Sequence, residues 1–486
     1  MTQAANPYPA EGANPYPPQA ANPYLRGNFA PTHDEVSLPC TQVEGTIPKD
    51  LAGFFLRTGP NNQFEPVDPA AYHPFDGDGM VHAVEIRGGE ASYRNRWVRT
   101  AGFARERQEG RALWGGFNSI GKMAPPADAP MMKNLANTAL AWHGGRLLAL
   151  WEAGSPHELR LPDLDTVGEY DFGGGWPYAV SAHPKVDPRT GELIVFCYSP
   201  VEQPYVRYGV VDARGVVKHT TGIELAGAPV MIHDMAITES RSLIFDMPVT
   251  FSIERVMNGG HAFDWEPANG ARVGILPRYG DGSKVRWFDV QTGYIFHVFN
   301  AWDEGDEVVL EACRSARTSV LETSRDMLAD EQARFHRYRF NLTSGKVTEE
   351  RVGDIPVEFS RINETCIGVP TRYGYAARFH PTRGLLFDGV VKHDRQGDRR
   401  EVVEFAADQF GQEFVFAPRV ESRAEDDGYV VGFVHDEGEN ATECWVIDAQ
   451  RFAAGPVARI RTPRTVPYGF HSNWVSAADA AKQALR

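Results

Sequence analysis

The sequence predicts an all-β protein whose sheets close on themselves. Three observations carry that expectation. Short apolar or alternating runs recur along the chain, separated by Gly, Asp, Asn and Pro, as in RLLALWEAG (Arg146–Gly154), ELIVFCY (Glu192–Tyr198), EVVLEAC (Glu307–Cys313) and ECWVIDA (Glu443–Ala449). Hairpin-like turns such as Asp212-Ala213-Arg214-Gly215 join several of them. Alternating strand–helix units are absent, which argues against a doubly wound sheet or a TIM barrel. So many short antiparallel strands without a compositional break suit a propeller, which removes its edges by radial closure.

Taken in order, residues 1–24 repeat Asn-Pro-Tyr at Asn6, Asn14 and Asn22 and are too rich in Pro and Ala to bury a core. They read as an extended or disordered arm. A single propeller domain is expected over residues 25–476, and a short helical tail over 477–486. Thr323–Arg337 is the best internal helix candidate.

With 42% hydrophobic and 23% charged residues the chain has the composition of a globular protein. Its formal net charge of −15 argues against a nucleic-acid surface. Five scattered cysteines form neither a disulfide framework nor a zinc motif, which fits a reducing cytosol. No secretory leader and no membrane-spanning run is expected. No protein partner is indicated.

Among fifteen histidines, four stand beside apolar or aromatic residues at strand ends: His183, His233, His297 and His471. His297 lies in GYIFHVFNAWDE (Gly293–Glu304), where strict alternation would put Ile295, His297 and Phe299 on one face and Phe296 and Val298 on the other. A buried imidazole needs partners for both nitrogens. A backbone carbonyl satisfies that need, and so does a metal ion; spacing alone does not choose. The separations of 50, 64 and 174 residues are not those of a helical zinc motif. They do suit side chains from several sheets meeting on one axis. Ligating imidazoles usually donate their other N–H to a carboxylate. Glu152, Glu358 and Glu425 are three glutamates in apolar or Gly-flanked contexts that could do so, Glu425 being chosen over Glu421.

The chain resembles the carotenoid cleavage oxygenases. The matching segments include NPYLRGNFAP (Asn22–Pro31), GFFLRTGPN (Gly53–Asn61), FDGDGMVHAV (Phe75–Val84), NTALAWHGGRLLALWEAG (Asn137–Gly154), SAHPKVDPRTGE (Ser181–Glu192), FHVFNAWDEGD (Phe296–Asp306), AEDDGY (Ala424–Tyr429) and GFHSNW (Gly469–Trp474). The resemblance implies a seven-bladed β-propeller with a cap of loops and short helices. It implies Fe(II) held by His183, His233, His297 and His471, with Glu152, Glu358 and Glu425 bracing them. Thr138 matches a threonine whose methyl crowds a coordination position. The implied reaction adds O₂ across a C=C bond of a carotenoid or apocarotenoid, the alternative being a stilbene-type aryl alkene. Trp151 matches a tunnel aromatic of the apocarotenoid-cleaving branch, where the stilbene-cleaving branch carries a lysine. Phe117, Met231, Phe296 and Phe359 are further expected wall residues. An apolar polyene resides in bilayers, so peripheral membrane contact is expected, with Met123–Met132 as a lip.

Overall fold

The computed structural model describes residues 22–119, 126–258, 260–318 and 331–485. Strands run almost end to end through them. Ala139–His143, Arg146–Leu150, His157–Arg160 and Asp165–Glu169 form one antiparallel sheet in sequence order. Lys185–Val186, Leu193–Tyr198, Val206–Val211 and Val217–Ile223 form the next. Ala236–Ile237, Arg241–Asp246, Ala271–Pro277 and Arg286–Val290 form a third. The central strands are buried on both faces, as at Leu193–Tyr198, where every residue up to Cys197 is buried, because both faces pack against neighbouring sheets.

The two ends of the described chain close the structure reciprocally. Ser472–Ser476 pairs antiparallel with Gly53–Pro60, setting Trp474 opposite Phe55. Val43–Gly45 pairs with Pro456–Arg461 near the other end of the chain. Each terminal strand thus covers a sheet edge that would otherwise expose unpaired N–H and C=O groups. Gly45 has φ +83°, and a Cβ there would lie 2.3 Å from the Val457 carbonyl oxygen, so only glycine permits this closing contact.

Residues after Tyr294 make a continuous hydrogen-bonded path because one long strand serves two neighbours. Val347–Arg361 pairs through its first half with Arg334–Asn341, and through Val357, Glu358 and Arg361 with Tyr373–Phe379.

Two sequence expectations change here, and a third holds. Asn22, assigned to the arm, is buried, and its side-chain amide donates to the Tyr72 carbonyl; the rest of the repeat, residues 1–21, lies outside the described residues. Much of the expected helix Thr323–Arg337 also lies outside them, and its end, from Arg334, is strand paired with Glu307–Ser315. His336, Tyr338 and Phe340 alternate as buried residues along that strand, so tertiary pairing overrides local helix propensity. The terminal helix Ala477–Ala484 forms, capped by Ser476, which accepts from the Asp479 N–H.

Candidate metal centre

The four histidines come from four separate edges. His183 lies two residues before Lys185–Val186, His233 three before Ala236–Ile237, and His471 immediately before Ser472–Ser476, while His297 is inside Tyr294–Glu304. Each of these is the edge strand of its sheet. All four rings are buried. Their Nε2 atoms converge: 3.1 Å from His183 to His233, 3.2 Å from His233 to His297, and 3.1 Å from His297 to His471. All four candidate ligand atoms lie within 4.8 Å of one another.

Carboxylates hold the outer side of three rings. Nδ1 of His233 meets Glu152, Nδ1 of His297 meets Glu358, and Nδ1 of His471 meets Glu413 at 3.0 Å. Donating Nδ1–H to a carboxylate leaves Nε2 as a bare lone pair. Three such lone pairs aimed at one point, with a fourth imidazole beside them, repel one another unless a cation sits between them. The donor set therefore fits a metal ion on its own chemistry. Burial favours the neutral form of two of these rings, His183 and His471. Desolvation, with the other three imidazoles next in weight, holds His183 well below the usual histidine range. Desolvation likewise pushes His471 down to about 4, against the pull of Glu413. For His297 desolvation is outweighed by Glu358, and the net shift is upward.

Glu425, expected to brace one of the histidines, is elsewhere. Its carboxylate accepts the N–H groups of Arg372 (2.9 Å) and Tyr373 (2.7 Å) and so caps the start of Tyr373–Phe379. Glu413 takes the place at His471, and its second oxygen accepts the Ser472 N–H. The signal for it was legible: Glu413 sits between Phe410 and Phe414–Val415, the same apolar flanking that singled out Glu152 and Glu358. Burial raises the Glu413 carboxyl, but Arg361 and His471 outweigh it and hold the group below its ordinary value.

The strict alternation expected around His297 also fails. Register slips between Ile295 and Val298, and again between Val298 and Asn300. These bulges turn neighbouring side chains to one side. Phe296 and His297 consequently line the same cavity, and the Phe296 ring is 5.3 Å from that of His233. A second irregularity lies between Glu358 and Arg361. There Phe359 adopts φ +54°, a conformation that costs a non-glycine residue about 1–3 kcal/mol. In return Glu358 and Phe359 both reach the centre, with the Phe359 ring stacked on His297 at 5.3 Å and 22°.

The centre opens into a cavity of about 650 Å³. Thr138, Trp151, Phe117, Met231, Phe296 and Phe359, each singled out by the sequence, all line it. Phe75, Phe263 and Phe470, which it did not single out, complete the aromatic wall; Phe117 stacks on Phe263 at 5.9 Å and meets Phe75 edge-on. The Thr138 hydroxyl donates to Asn137 Oδ1 (2.9 Å), and the Thr138 carbonyl accepts the His471 N–H (3.3 Å).

These features agree with the kinship of the chain. The sequence model of the family described as RPE65, retinal pigment epithelial membrane protein, matches residues 29–476. Carotenoid 9,10(9',10')-cleavage dioxygenase 1 of Pisum sativum is 36% identical over 496 residues, spanning 95% of this chain and 91% of that protein. The chain belongs to the carotenoid cleavage oxygenase family. A carotenoid cleavage oxygenase of Mycobacterium tuberculosis (strain H37Rv) is 35% identical over 93% of this chain and 97% of its own. Among solved structures, the lignostilbene dioxygenase of Pseudomonas brassicacearum superposes with a TM-score of 0.86 at 28% identity, covering 94% of this chain and 98% of that one. Cobalt-substituted Synechocystis apocarotenoid oxygenase superposes with a TM-score of 0.81 at 27% identity, covering 92% and 97%. The all-β propeller expected from the sequence is thus the fold of a carotenoid cleavage oxygenase.

One contact at the centre has a testable consequence. The Tyr198 hydroxyl donates to Glu152 Oε2 at 2.5 Å, extending the His233–Glu152 pair by one member. Burial, then the Glu152 charge, holds this phenol well above its usual range, so it stays a donor. Tyr198→Phe should weaken metal binding a few-fold to about tenfold, the lower part of the range for outer partners of a ligating histidine. Metal titration of the apo-protein reads this directly.

Proposed function

We propose that this chain is a non-haem Fe(II) dioxygenase that cleaves a C=C bond of a carotenoid or apocarotenoid, giving two carbonyl products. The observation that carries the reading is the convergence of four imidazole Nε2 atoms at the inner end of an aromatic-lined cavity. Four neutral imidazoles suit a divalent ion and leave positions open on an octahedral metal, whereas zinc prefers four ligands and has no redox chemistry with O₂. Iron would supply the activation of O₂.

The protein supplies everything else. His183, His233, His297 and His471 would hold the ion, and Glu152, Glu358 and Glu413 fix the tautomer and orientation of three of them. Those three carboxylates and the nearby Arg361, 3.8 Å from Glu413, would balance a divalent ion in charge. Thr138 has its hydroxyl occupied by Asn137, so its methyl group is what remains to crowd the open side of the centre. Trp151, Phe296 and Phe359 present flat apolar faces that would align a rigid polyene with the reacting bond near the metal. No base or nucleophile is required of the chain.

Relatives that cleave carotenoids support the polyene over the stilbene reading, and so does the cavity wall. Trp151 stands where phenol recognition would need a lysine. Lys133, which does line the cavity, is already held by Asp78 and Glu106, both at 2.5 Å. Incubating Fe(II)-loaded protein with an apocarotenal and with a hydroxystilbene tests this. Aldehydes identified by mass from the polyene alone are expected; cleavage of the stilbene alone would reverse the assignment.

We further propose that the cavity mouth rests on a lipid surface. No helix among the described residues is long and apolar enough to cross a membrane. Met131 is 71% exposed, Val201 74% and Ile253 57%, and all three line the cavity; Met257, 81% exposed, follows Ile253 on the same helix. Exposed apolar residues gathered at one opening mark an interaction site. Met123, part of the expected lip, lies outside the described residues. Replacing Met131 and Met132 by Asp should lower binding to liposomes at least several-fold while leaving iron content unchanged. Sedimentation with vesicles measures it, and undiminished binding would dismiss the lip.

A further inference from the structure

We propose that Asp234 is a positioning residue for the metal centre, tying together the segments that carry three of its four histidines. The inference rests on the reading of the four-histidine group as a metal site. Asp234 directly follows His233 and is 1% exposed. Its Oδ1 accepts from Lys185 Nζ at 2.7 Å and from the Met235 N–H at 2.7 Å. Its Oδ2 accepts the Val298 N–H at 2.9 Å. Lys185 lies two residues after His183, and Val298 directly follows His297. One carboxylate therefore bridges the three segments within two residues of each ligand.

The local backbone explains why a charge is placed there. Val298 lies between two register slips on an edge strand, and Met235 directly precedes another edge strand, Ala236–Ile237. A buried backbone N–H without a partner is costly, and at both places a side chain supplies what the ladder does not. A buried carboxylate is itself costly unless paired, and Lys185 answers that. Among the described residues Asp234 makes no hydrogen bond to an imidazole; it positions the ligands through the backbone of their segments, while its charge also acts on the nearby His297 ring. A ligand set must be held to within about 0.5 Å to bind its ion well, and a shared anchor between three strands sets that tolerance. His471 stands outside this clamp and is fixed separately by the Thr138 carbonyl at its N–H and by Glu413.

The experiment titrates apo-protein with Co(II) against a competing chelator and records the absorption spectrum of the loaded centre. Asp234→Asn keeps an acceptor for Val298 but turns an uncharged amide toward the Lys185 ammonium. It should bind Co(II) about tenfold more weakly, within the range for outer partners of a metal site, and shift the visible bands. Lys185→Met should weaken binding by a smaller factor, and the double variant should fall short of the product of the two, since the partners act as a unit. Wild-type affinity and an unchanged spectrum in Asp234→Asn, even with a lowered melting temperature, would reduce the residue to a purely structural role and overturn the proposal. Should Asp234→Asn fail to fold, an unchanged affinity and spectrum in Lys185→Met would do the same. Wild-type protein that takes up no Co(II) would instead overturn the metal reading, and this inference with it.

Discussion

Replacing His297 by alanine is expected to remove the metal and end turnover together. The ring sits between His233 and His471, with Nε2 distances of 3.2 and 3.1 Å, so its loss opens the middle of the ligand set rather than its margin. It also strands Glu358, whose carboxylate would remain buried with its imidazole partner gone. Disturbing only an outer partner of such a site costs about 10–100-fold in metal affinity, so removal of a ligand should exceed that range. The measurement is iron per chain after anaerobic reconstitution, set beside aldehyde yield from an apocarotenal. Circular dichroism establishes that the variant is folded. A variant that kept both iron and activity would take His297 out of the ligand set.

Glu413→Gln should lower metal affinity by about 10–100-fold, whereas Glu425→Gln should leave it unchanged. Glutamine at 413 preserves shape and one acceptor for His471 Nδ1. It removes the charge that the nearby Arg361 and His471 favour, and with it the polarisation that makes His471 Nε2 a good donor to a cation. Glutamine at 425 alters only the cap on the N–H groups of Arg372 and Tyr373, at the start of a neighbouring strand. Its cost should appear in thermal stability. Chelator competition on both variants separates the two roles. The reverse ranking would return Glu425 to the centre.

The histidines were legible in the sequence for a definite reason. An imidazole flanked by apolar residues at a strand end needs an explanation that a solvated one does not, and the four that met this description are the four that converge. Glu152 and Glu358 were found by the same criterion. Glu413 satisfied it as well, but the acidic motif Ala424–Tyr429 drew the assignment to a residue with a different task. The place of Phe296 beside His297 in the chain points to a wall residue, although strict alternation would turn it away. The bulge that turns it back is a matter of pairing register.

The chain of residues alone specifies short strands, their closure into sheets, the ligand types and the family to which they belong. Those follow from local periodicity and from side-chain chemistry, which each segment carries with it. Folding in three dimensions settles which carboxylate serves which imidazole, how two bulges bring adjacent side chains to one cavity, and how Asp234 joins three distant segments. These depend on strand register, and register is fixed by contacts between segments 50 to 174 residues apart, about which no single segment holds the information.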